Sequence, residues 1–246
     1  GIGLEFTKQL LFKHELPLVF ASCRNPSKAT ELQALQSRVH ETSQQQLHIL
    51  HIDLDDEQSI QEASKQTQDV LMRNNDGRTV SNLQLLVNCS GVLHKHEIGM
   101  EPERSLKMID EASLKILFQT HSIGPLLVMK HFHELLINPD REMSTLSPSM
   151  LVNMSARVGS IGDNRLGGWY GYRSSKSALN QITKTASIEL KRHNIITFAL
   201  HPGTVKTDLS APFQGNVKPE KLFSVEYCVE RLLDIIVNAD MSMNGG

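Results

Sequence analysis

The sequence predicts an α/β domain in which a parallel β-sheet is covered by helices on both faces. Short apolar runs alternate with helix-compatible stretches along the chain, and this order of elements is typical of parallel sheets. The runs are hydrophobic at nearly every position, as expected for strands buried on both sides. A chain of 246 residues with 39% hydrophobic and 21% charged residues has the size and composition of one globular domain. We therefore expect residues 1–246 to form a single domain.

Five apolar runs are predicted strands. They are Leu16–Ser22, Leu47–Leu54, Leu83–Asn88, Met150–Met154 and Thr197–Leu200. The first run is followed by a break at Arg24-Asn25-Pro26, and the last is stopped by Pro202-Gly203. Proline and glycine end strands because proline lacks the N–H that a ladder needs and glycine favours turns.

The stretches between the strands are predicted helices. One begins directly after Gly1-Ile2-Gly3, and the others cover Pro26–Val39, Glu57–Arg73, Ala112–Asn138, Tyr172–His193 and Val225–Val237. Pro26 suits a helical first turn, where the N–H that proline lacks has no partner in any case. The polar segment Asn138–Pro148 is predicted to be a surface loop rather than a domain boundary.

Composition excludes several classes of function. A net charge of −2 provides no basic face, so we expect no nucleic-acid partner. The longest apolar run, Ile123–Met129, is far shorter than the roughly 18 residues that a membrane span needs. Three cysteines without a Cys-x-x-Cys spacing favour a reducing compartment over a disulfide framework or a metal site. We expect a cytoplasmic protein, with organelle targeting by a segment before Gly1 left open.

Small and polar residues follow each predicted strand. They are Ser22-Cys23-Arg24, Asp53-Leu54, Asn88-Cys89-Ser90-Gly91, Ser155 and Pro202-Gly203-Thr204. In open α/β sheets the ligand lies beyond the carboxyl ends of the strands. Ordinary loops would account for some of these residues, but their recurrence at one edge of the sheet predicts a shared ligand cleft.

Tyr172 and Lys176 are the candidate catalytic pair. They lie four residues apart at the start of a predicted helix, so both side chains can meet on one face. An ammonium beside a phenol favours the phenolate, and we expect it to lower the phenol pKa from about 10 toward neutrality. Such a tyrosine can exchange a proton with an alcohol or carbonyl oxygen. An ordinary surface pair has the same spacing, so the pair is informative only together with other motifs.

Those other motifs are present. Gly1-Ile2-Gly3, Asn88-Cys89-Ser90-Gly91, the Tyr172/Lys176 pair and Pro202-Gly203, in this order, resemble the short-chain dehydrogenase/reductase family over essentially the whole chain. The stretches Asn153–Lys176 and His201–Leu209 are similar to its C-factor-like carbonyl reductases, also called sniffer-like. The resemblance implies a doubly wound, Rossmann-like sheet that binds a nicotinamide cofactor, here lacking the first strand of the family and its last.

The resemblance also implies how the cofactor is held. The glycine-rich turn would offer backbone N–H groups to the pyrophosphate through Gly1, Ile2 and Gly3. Arg24 would pair with a 2′-phosphate, which favours NADP (NADPH) over NAD. The remaining contacts would come from Asp53 and Leu54 at the adenine, Asn88, Ser90 and Gly91 at the ribose side, Lys176 with Tyr172 at the nicotinamide ribose, and Pro202, Gly203, Thr204 and Thr207 over the nicotinamide.

Three positions depart from the family pattern. The family has two serines after the fourth strand and the second contacts the substrate oxygen, whereas this chain has Ser155-Ala156. Ser155 can replace the missing serine only if the strand end bulges, and Ser160 is the alternative. His121 stands where the family has an asparagine. The missing first strand would normally lie between the strands at Leu16 and Leu83, so its absence would leave a groove there.

Two functional hypotheses follow from the resemblance. The first is an NADPH-dependent reductase of a small carbonyl compound, in which Tyr172 protonates the oxygen and Ser155 assists. The second is a non-catalytic signalling or binding protein, or a pseudoenzyme, which Ala156 and His121 favour. A homo-oligomer formed through the helices that begin at Ala112 and Tyr172 is expected in either case.

Overall fold

Seven short parallel strands form in a computed structural model that describes residues 1–42, 45–73, 82–138 and 147–246. Five of them overlap the predicted apolar runs. They are β1 (Leu18–Cys23), β2 (Gln46–His51), β3 (Leu85–Asn88), β4 (Ser149–Met154), β5 (Ile195–Leu200), β6 (Thr204–Val205) and β7 (Leu222–Phe223). The ladders are β1–β2, β3–β4–β5 and β6–β7, and every pair is parallel.

Helices cover both faces of the sheet, as the alternating pattern predicts. They are α1 (Ile2–Phe12), α2 (Thr30–Thr42), α3 (Glu57–Arg73), α4 (Glu111–Phe118), α5 (Gly124–Phe132), α6 (Tyr170–Leu190) and α7 (Val225–Val237). Successive strand residues point to opposite faces. In β4, Leu151 belongs to the core beneath α5 and α6, while Val152 belongs to the core beneath α1 and α7. The doubly wound α/β fold is confirmed.

The sheet is divided between β1 and β3. Within the described ranges no backbone ladder joins these two strands, and the groove expected there stays a prediction. Helix α1 connects the two parts through its side chains. Phe6 lies in the core of β4, β5 and α7, whereas Leu11 lies in the core of β1, β2 and α2. Helix α1 therefore packs against both parts of the sheet, and a second shared core, beneath α3 and α5, joins Phe20 and Leu50 to Leu86.

The helix predicted over Ala112–Asn138 is interrupted. Helix α4 ends at Phe118, a π-helical turn covers Gln119–Ile123, and α5 then runs to Phe132. A 3₁₀ turn, His133–Leu136, follows. The π turn adds a residue to one turn of the helix, a feature that is common at functional sites. Helix α4 packs on α6, and α5 packs on α3.

Several other predicted boundaries were wrong by a few residues, and two of these differences have a clear local cause. The helix expected over Pro26–Val39 begins as a 3₁₀ turn, Pro26–Lys28, and α2 starts only at Thr30, because Ala29 leaves the helical region. The strand expected to reach Leu54 ends at His51, because Asp53 forms a turn in which its Oδ1 accepts from the N–H of Asp55 at 3.1 Å.

Two further predictions concern the loop and the membrane. Of the surface loop predicted at Asn138–Pro148, residues 139–146 lie outside the described residues. None of the helices in the described part of the chain is long and apolar enough to cross a bilayer.

Candidate active site

Tyr172 and Lys176 lie in the first two turns of α6, at the carboxyl edge of the sheet. Lys176 is 3% exposed, and its Nζ lies 5.9 Å from the centroid of the Tyr172 ring. The same Nζ donates to the carbonyl oxygen of Met154 at 2.8 Å. Because Met154 is the last residue of β4, this bond fixes the ammonium at the end of a central strand. The structure thus brings the pair together where the cleft was expected.

The expected pKa of the phenol was wrong in direction. Burial raises the pKa of Tyr172 to about 12 and lowers the pKa of Lys176 to about 8, with the Cys89 thiol acting against the second shift. The cause is that desolvation of the phenolate dominates, while the ammonium is directed to the Met154 carbonyl. Tyr172 is therefore protonated at neutral pH. Its hydroxyl makes no hydrogen bond among the described residues, so it is free to donate.

His121 lies beside the pair and is 0% exposed. Its Nε2 accepts from the backbone N–H of Val92 at 3.0 Å, and its Nδ1 is 2.9 Å from Ser175 Oγ. Since Nε2 is the acceptor, Nδ1 carries the hydrogen and donates it to Ser175. The ring meets that of Tyr172 edge-on, with centroids 5.0 Å apart. Burial, and secondarily the charge of Lys176, lowers the pKa of His121 to about 2, so the imidazole is neutral.

The ends of β3 and β4 are tied to α6 by a chain of amides. Asn88 Nδ2 donates to Asn153 Oδ1 at 2.8 Å, and Asn153 Nδ2 donates to Thr183 Oγ1 at 2.9 Å. Asn153 and Thr183 are buried, and an unpaired amide at such a place would lower the free energy of unfolding. Asn88, a predicted cofactor residue, is therefore held by the protein itself. These bonds fix the strand ends relative to the helix that carries Tyr172.

The serine predictions remain open. Ser155 is buried, and its hydroxyl donates to Asn180 Oδ1 on α6 at 2.5 Å. To serve as an oxyanion donor it would have to give up this bond. Ser160 is exposed and its Oγ accepts from the N–H of Asp163 at 3.3 Å. Ala156 directly follows Ser155, at the position where the family pattern has its second serine, and it has no hydroxyl.

The predicted phosphate side of the cleft offers unpaired donors. Gly1 is the N-cap of α1 and provides no side-chain cap, so the first-turn N–H groups of Ile2 and Gly3 lack helical partners. A Cβ on Gly3 would lie 3.9 Å from Cys89, which places α1 directly against the loop after β3. Arg24 follows β1, is exposed, and has no partner for its guanidinium among the described residues. This arrangement fits a ligand with several phosphates.

The predicted adenine and ribose contacts are distributed along the same edge. Leu54 lies against Gly124, whose Cβ would be 2.7 Å from the Leu54 Cβ, and the Leu54 carbonyl accepts from Gln119 Nε2. Ser90 and Gly91 are exposed. A Cβ on Gly91 would be 3.9 Å from Nε2 of His121, so the loop after β3 passes next to His121, whose ring lies beside that of Tyr172.

The segment after β5 makes a tight turn. Gly203 has φ of +75°, and a Cβ there would lie 2.8 Å from the Phe223 ring, so glycine is needed for both conformation and space. The preceding Pro202 carbonyl accepts from the Cys228 thiol at 3.3 Å. Thr204 begins β6, and Thr207 Oγ1 points to the Val205 carbonyl at 3.5 Å. No observation tests the proposed contact of this segment with nicotinamide.

A row of rings that the sequence analysis missed leads away from Tyr172. The Trp169 ring meets Tyr172 edge-on at 6.1 Å and Phe213 at 5.2 Å, and Phe213 meets His94 at 6.2 Å. The ring centroid of His94 in turn lies 4.7 Å from that of His96, and His96 is paired with a glutamate. The only sequence signal for this row of rings was that Trp169, the single tryptophan, lies three residues before Tyr172.

Comparison with known proteins agrees with this geometry. A family model described as short chain dehydrogenase matches residues 1–217. An uncharacterized oxidoreductase of Schizosaccharomyces pombe is 30% identical over 211 residues, which cover 86% of this chain and 72% of the relative. The crystal structure of NADPH-bound carbonyl reductase from chicken fatty liver has a TM-score of 0.81 and 30% identity, covering 100% of this chain and 90% of the other. The carbonyl reductase Sniffer of D. melanogaster has a TM-score of 0.82 and 28% identity, with 100% and 91% covered.

Proposed function

The chain belongs to the short chain dehydrogenase family, and on that premise we propose that it is an NADPH-dependent oxidoreductase that reduces a carbonyl group of a small molecule to an alcohol. The observation that carries this proposal is the position of Tyr172 and Lys176 at the carboxyl end of β4. The similarity to NADPH-bound carbonyl reductase supports the choice of cofactor and reaction. We further propose that residues 1–246 act as one NADP-binding domain.

Residues on two sides of the cleft would hold the cofactor. Arg24 supplies an unpartnered guanidinium for the 2′-phosphate, and the first turn of α1 supplies N–H groups for the pyrophosphate. Lys176, fixed by Met154, would offer its remaining N–H groups to the nicotinamide ribose. When bound, NADPH supplies the hydride for the carbonyl carbon.

Tyr172 performs the proton step. Its pKa of about 12 keeps the phenol protonated at neutral pH, so it can donate a hydrogen bond to the substrate oxygen and then transfer the proton to it. The neutral His121 has no proton to release, because its only N–H is directed to Ser175. We propose Ser155 as the second donor, with Ser160 as the alternative.

One observation favours the non-catalytic alternative. Ser155 donates its only hydroxyl hydrogen to Asn180, and Ala156 has none to offer. A site that lacks the second donor could bind NADPH without efficient turnover, since removal of one oxyanion donor typically costs about 100-fold in rate. A signalling or binding protein that uses NADPH only as a ligand is therefore the second candidate function.

NADPH binding and turnover separate the two candidates. NADPH fluorescence is titrated with the protein, and oxidation of NADPH is then followed with a panel of aldehydes and diketones. The reductase is supported if turnover occurs and is lost in Tyr172→Phe. Binding without turnover of any carbonyl supports the binding protein, and the absence of NADPH binding contradicts both. Ser155→Ala and Ser160→Ala identify the second donor, since the variant that lacks it loses about 100-fold in kcat.

We also propose an oligomeric state and a cellular location for the protein. Ile123 and Leu126 on the π turn and α5, and Ile188 on α6, are exposed apolar side chains. They support a homo-oligomer in which these helices meet those of a second copy. Three free thiols support a reducing, cytoplasmic location.

A further inference from the structure

Glu103 is a buried carboxylate that the proposed reaction does not use. It is 3% exposed, whereas the other residues from Glu101 to Asp110 are exposed or half-buried. No cationic side chain pairs with it in the part of the chain that the structure describes. A buried carboxylate without a compensating partner is strongly unfavourable, so its partners must come from the backbone.

Those partners belong to the start of α6. Both carboxylate oxygens face the N–H of Gly171, at 3.2 and 3.3 Å, and the backbone carbonyl of Glu103 accepts from the N–H of Trp169 at 2.5 Å. Trp169 is the N-cap of α6 and provides no side-chain cap. Glu103 therefore caps this helix from a loop 68 residues away, where a negative charge is favoured by the helix dipole.

The contact between Glu103 and Gly171 leaves no space for a side chain at position 171. A Cβ on Gly171 would lie 2.5 Å from Leu117 Cδ1 and 2.9 Å from Glu103 Oε1, so the first turn of α6 is pressed between α4 and the carboxylate. The next residue is Tyr172. Movement of the Gly171 backbone would therefore move the proton donor directly.

The entry to α6 needs an external support. Gly167, Gly168 and Trp169 all have positive φ, at 65°, 65° and 55°. For a residue with a side chain, such as Trp169, this conformation is unfavourable. The Glu103 carbonyl supports this turn on one side, and Arg173 supports it on the other through the Gly168 carbonyl at 2.9 Å.

We propose that Glu103 is a positioning residue for Tyr172, which holds the first turn of α6 so that the phenol reaches the carbonyl oxygen. This inference rests on the proposed reductase function. It assigns to the loop before α4 a role in the rate of the proton step, and not in NADPH affinity, because the hydrogen bonds of Glu103 within the described residues go to Trp169 and Gly171 at the start of α6.

The test compares Glu103→Ala and Glu103→Gln with a matched control, Asp110→Ala. Asp110 caps α4 through the N–H of Ser113 at 2.8 Å, so its loss removes a helix cap away from Tyr172. We expect Glu103→Ala to lower kcat by about 100-fold, as a misplacement of about 1 Å does, with the Kd for NADPH changed less than about threefold. Glu103→Gln keeps an acceptor for Gly171 and should recover kcat to within about fivefold of the wild type.

Trp169, the single tryptophan, gives a readout that needs no turnover. Its fluorescence should move to longer wavelength and be quenched more strongly by acrylamide in Glu103→Ala than in Asp110→Ala. If Glu103→Ala does not fold, Glu103→Asp decides, since it withdraws the carboxylate by about 1.5 Å and should lower kcat more than Glu103→Gln does.

The proposal is overturned if the glutamate variants change neither kcat nor the Trp169 signal more than Asp110→Ala, or if NADPH affinity falls in parallel with kcat. A wild type that neither binds NADPH nor reduces a carbonyl contradicts the proposed function instead. In that case an unchanged Trp169 signal in Glu103→Ala still overturns the role of Glu103 as a support of α6.

Discussion

The two parts of the sheet treat their polar groups differently. Around β3, β4, β5 and α6, the side chains of Lys176, His121 and Asn153 are buried and bonded within the protein. At the tip of β1, Arg24 is exposed and has no partner among the described residues. The polar groups of the first part are satisfied within the protein, whereas on the proposed function the guanidinium of Arg24 would be paired by the cofactor.

This difference separates rate from affinity. Preorganised groups lower the barrier because no reorganisation is needed when the reaction occurs. An unpartnered cation contributes chiefly to the binding of an anion. Variants around α6 should therefore change kcat, and variants at the tip of β1 should change the Kd for the cofactor. The predictions below test this division.

The largest expected effect is that of Tyr172→Phe. Loss of the phenolic proton should lower kcat by roughly 10²- to 10⁴-fold, with the Kd for NADPH nearly unchanged, as measured by NADPH oxidation and fluorescence titration. Tyr170→Phe is the matched control, because Tyr170 lies on the same helix and is exposed. Equal activities of the two variants would show that Tyr172 is not the proton donor.

Arg24→Ala should weaken NADPH binding by roughly 10- to 100-fold, because a charge-assisted bond to the 2′-phosphate is lost. The Kd for NADH, which lacks this phosphate, should stay the same. Lys28→Ala removes a nearby exposed cation and should leave both constants unchanged. A similar weakening of NADH binding, or a lower kcat at saturating NADPH, would contradict the proposed assignment of affinity to the tip of β1 and of rate to α6.

His121→Asn should reduce the sensitivity of the fold to acid. The pKa of His121 is about 2 in the folded protein and about 6.5 when unfolded, so its contribution to stability is present above pH 6.5 and lost as the pH falls. At pH 5 this amounts to about 2 kcal/mol of unfolding free energy. Urea unfolding at pH 7 and pH 5 measures it, with His14→Asn, at an exposed position, as control. An equal loss in wild type and His121→Asn would contradict the assignment.

The smallest expected effect is in the pH profile of kcat/KM. Lys176 loses its proton as the pH rises through about 8, while the pKa of Tyr172, about 12, keeps its proton in place. Activity should therefore fall above pH 8 by about tenfold per pH unit, with a single proton involved. NADPH binding shifts this value, so the profile is read at low NADPH. A flat profile to pH 10 would exclude a need for the ammonium.

The elements that depend on local pattern could be predicted from the sequence. Helices α3 and α7 begin and end at the predicted residues, and β1 to β5 overlap the five predicted runs with ends shifted by at most three residues. The Tyr172/Lys176 pair followed from helical spacing together with the family motifs. Family membership was confirmed by the comparisons.

The remaining features depend on contacts between distant parts of the chain. The π turn arises where His121 bonds to Val92 and Ser175, and no periodicity marks it. The raised pKa of Tyr172 depends on burial, which spacing alone does not report. Glu103 lies in an otherwise exposed loop, and its partner Gly171 is far along the chain.

The π turn at Gln119–Ile123 has a consequence for insertions and deletions. A π turn holds about one residue more than an α turn, so removing one residue there would restore a regular helix and keep the faces of α4 and α5. Within α4 or α5 itself, gain or loss of one residue would instead rotate the rest of the helix by about 100° and turn α4 away from α6 or α5 away from α3. A change in the length of this helix should therefore be tolerated best at the π turn.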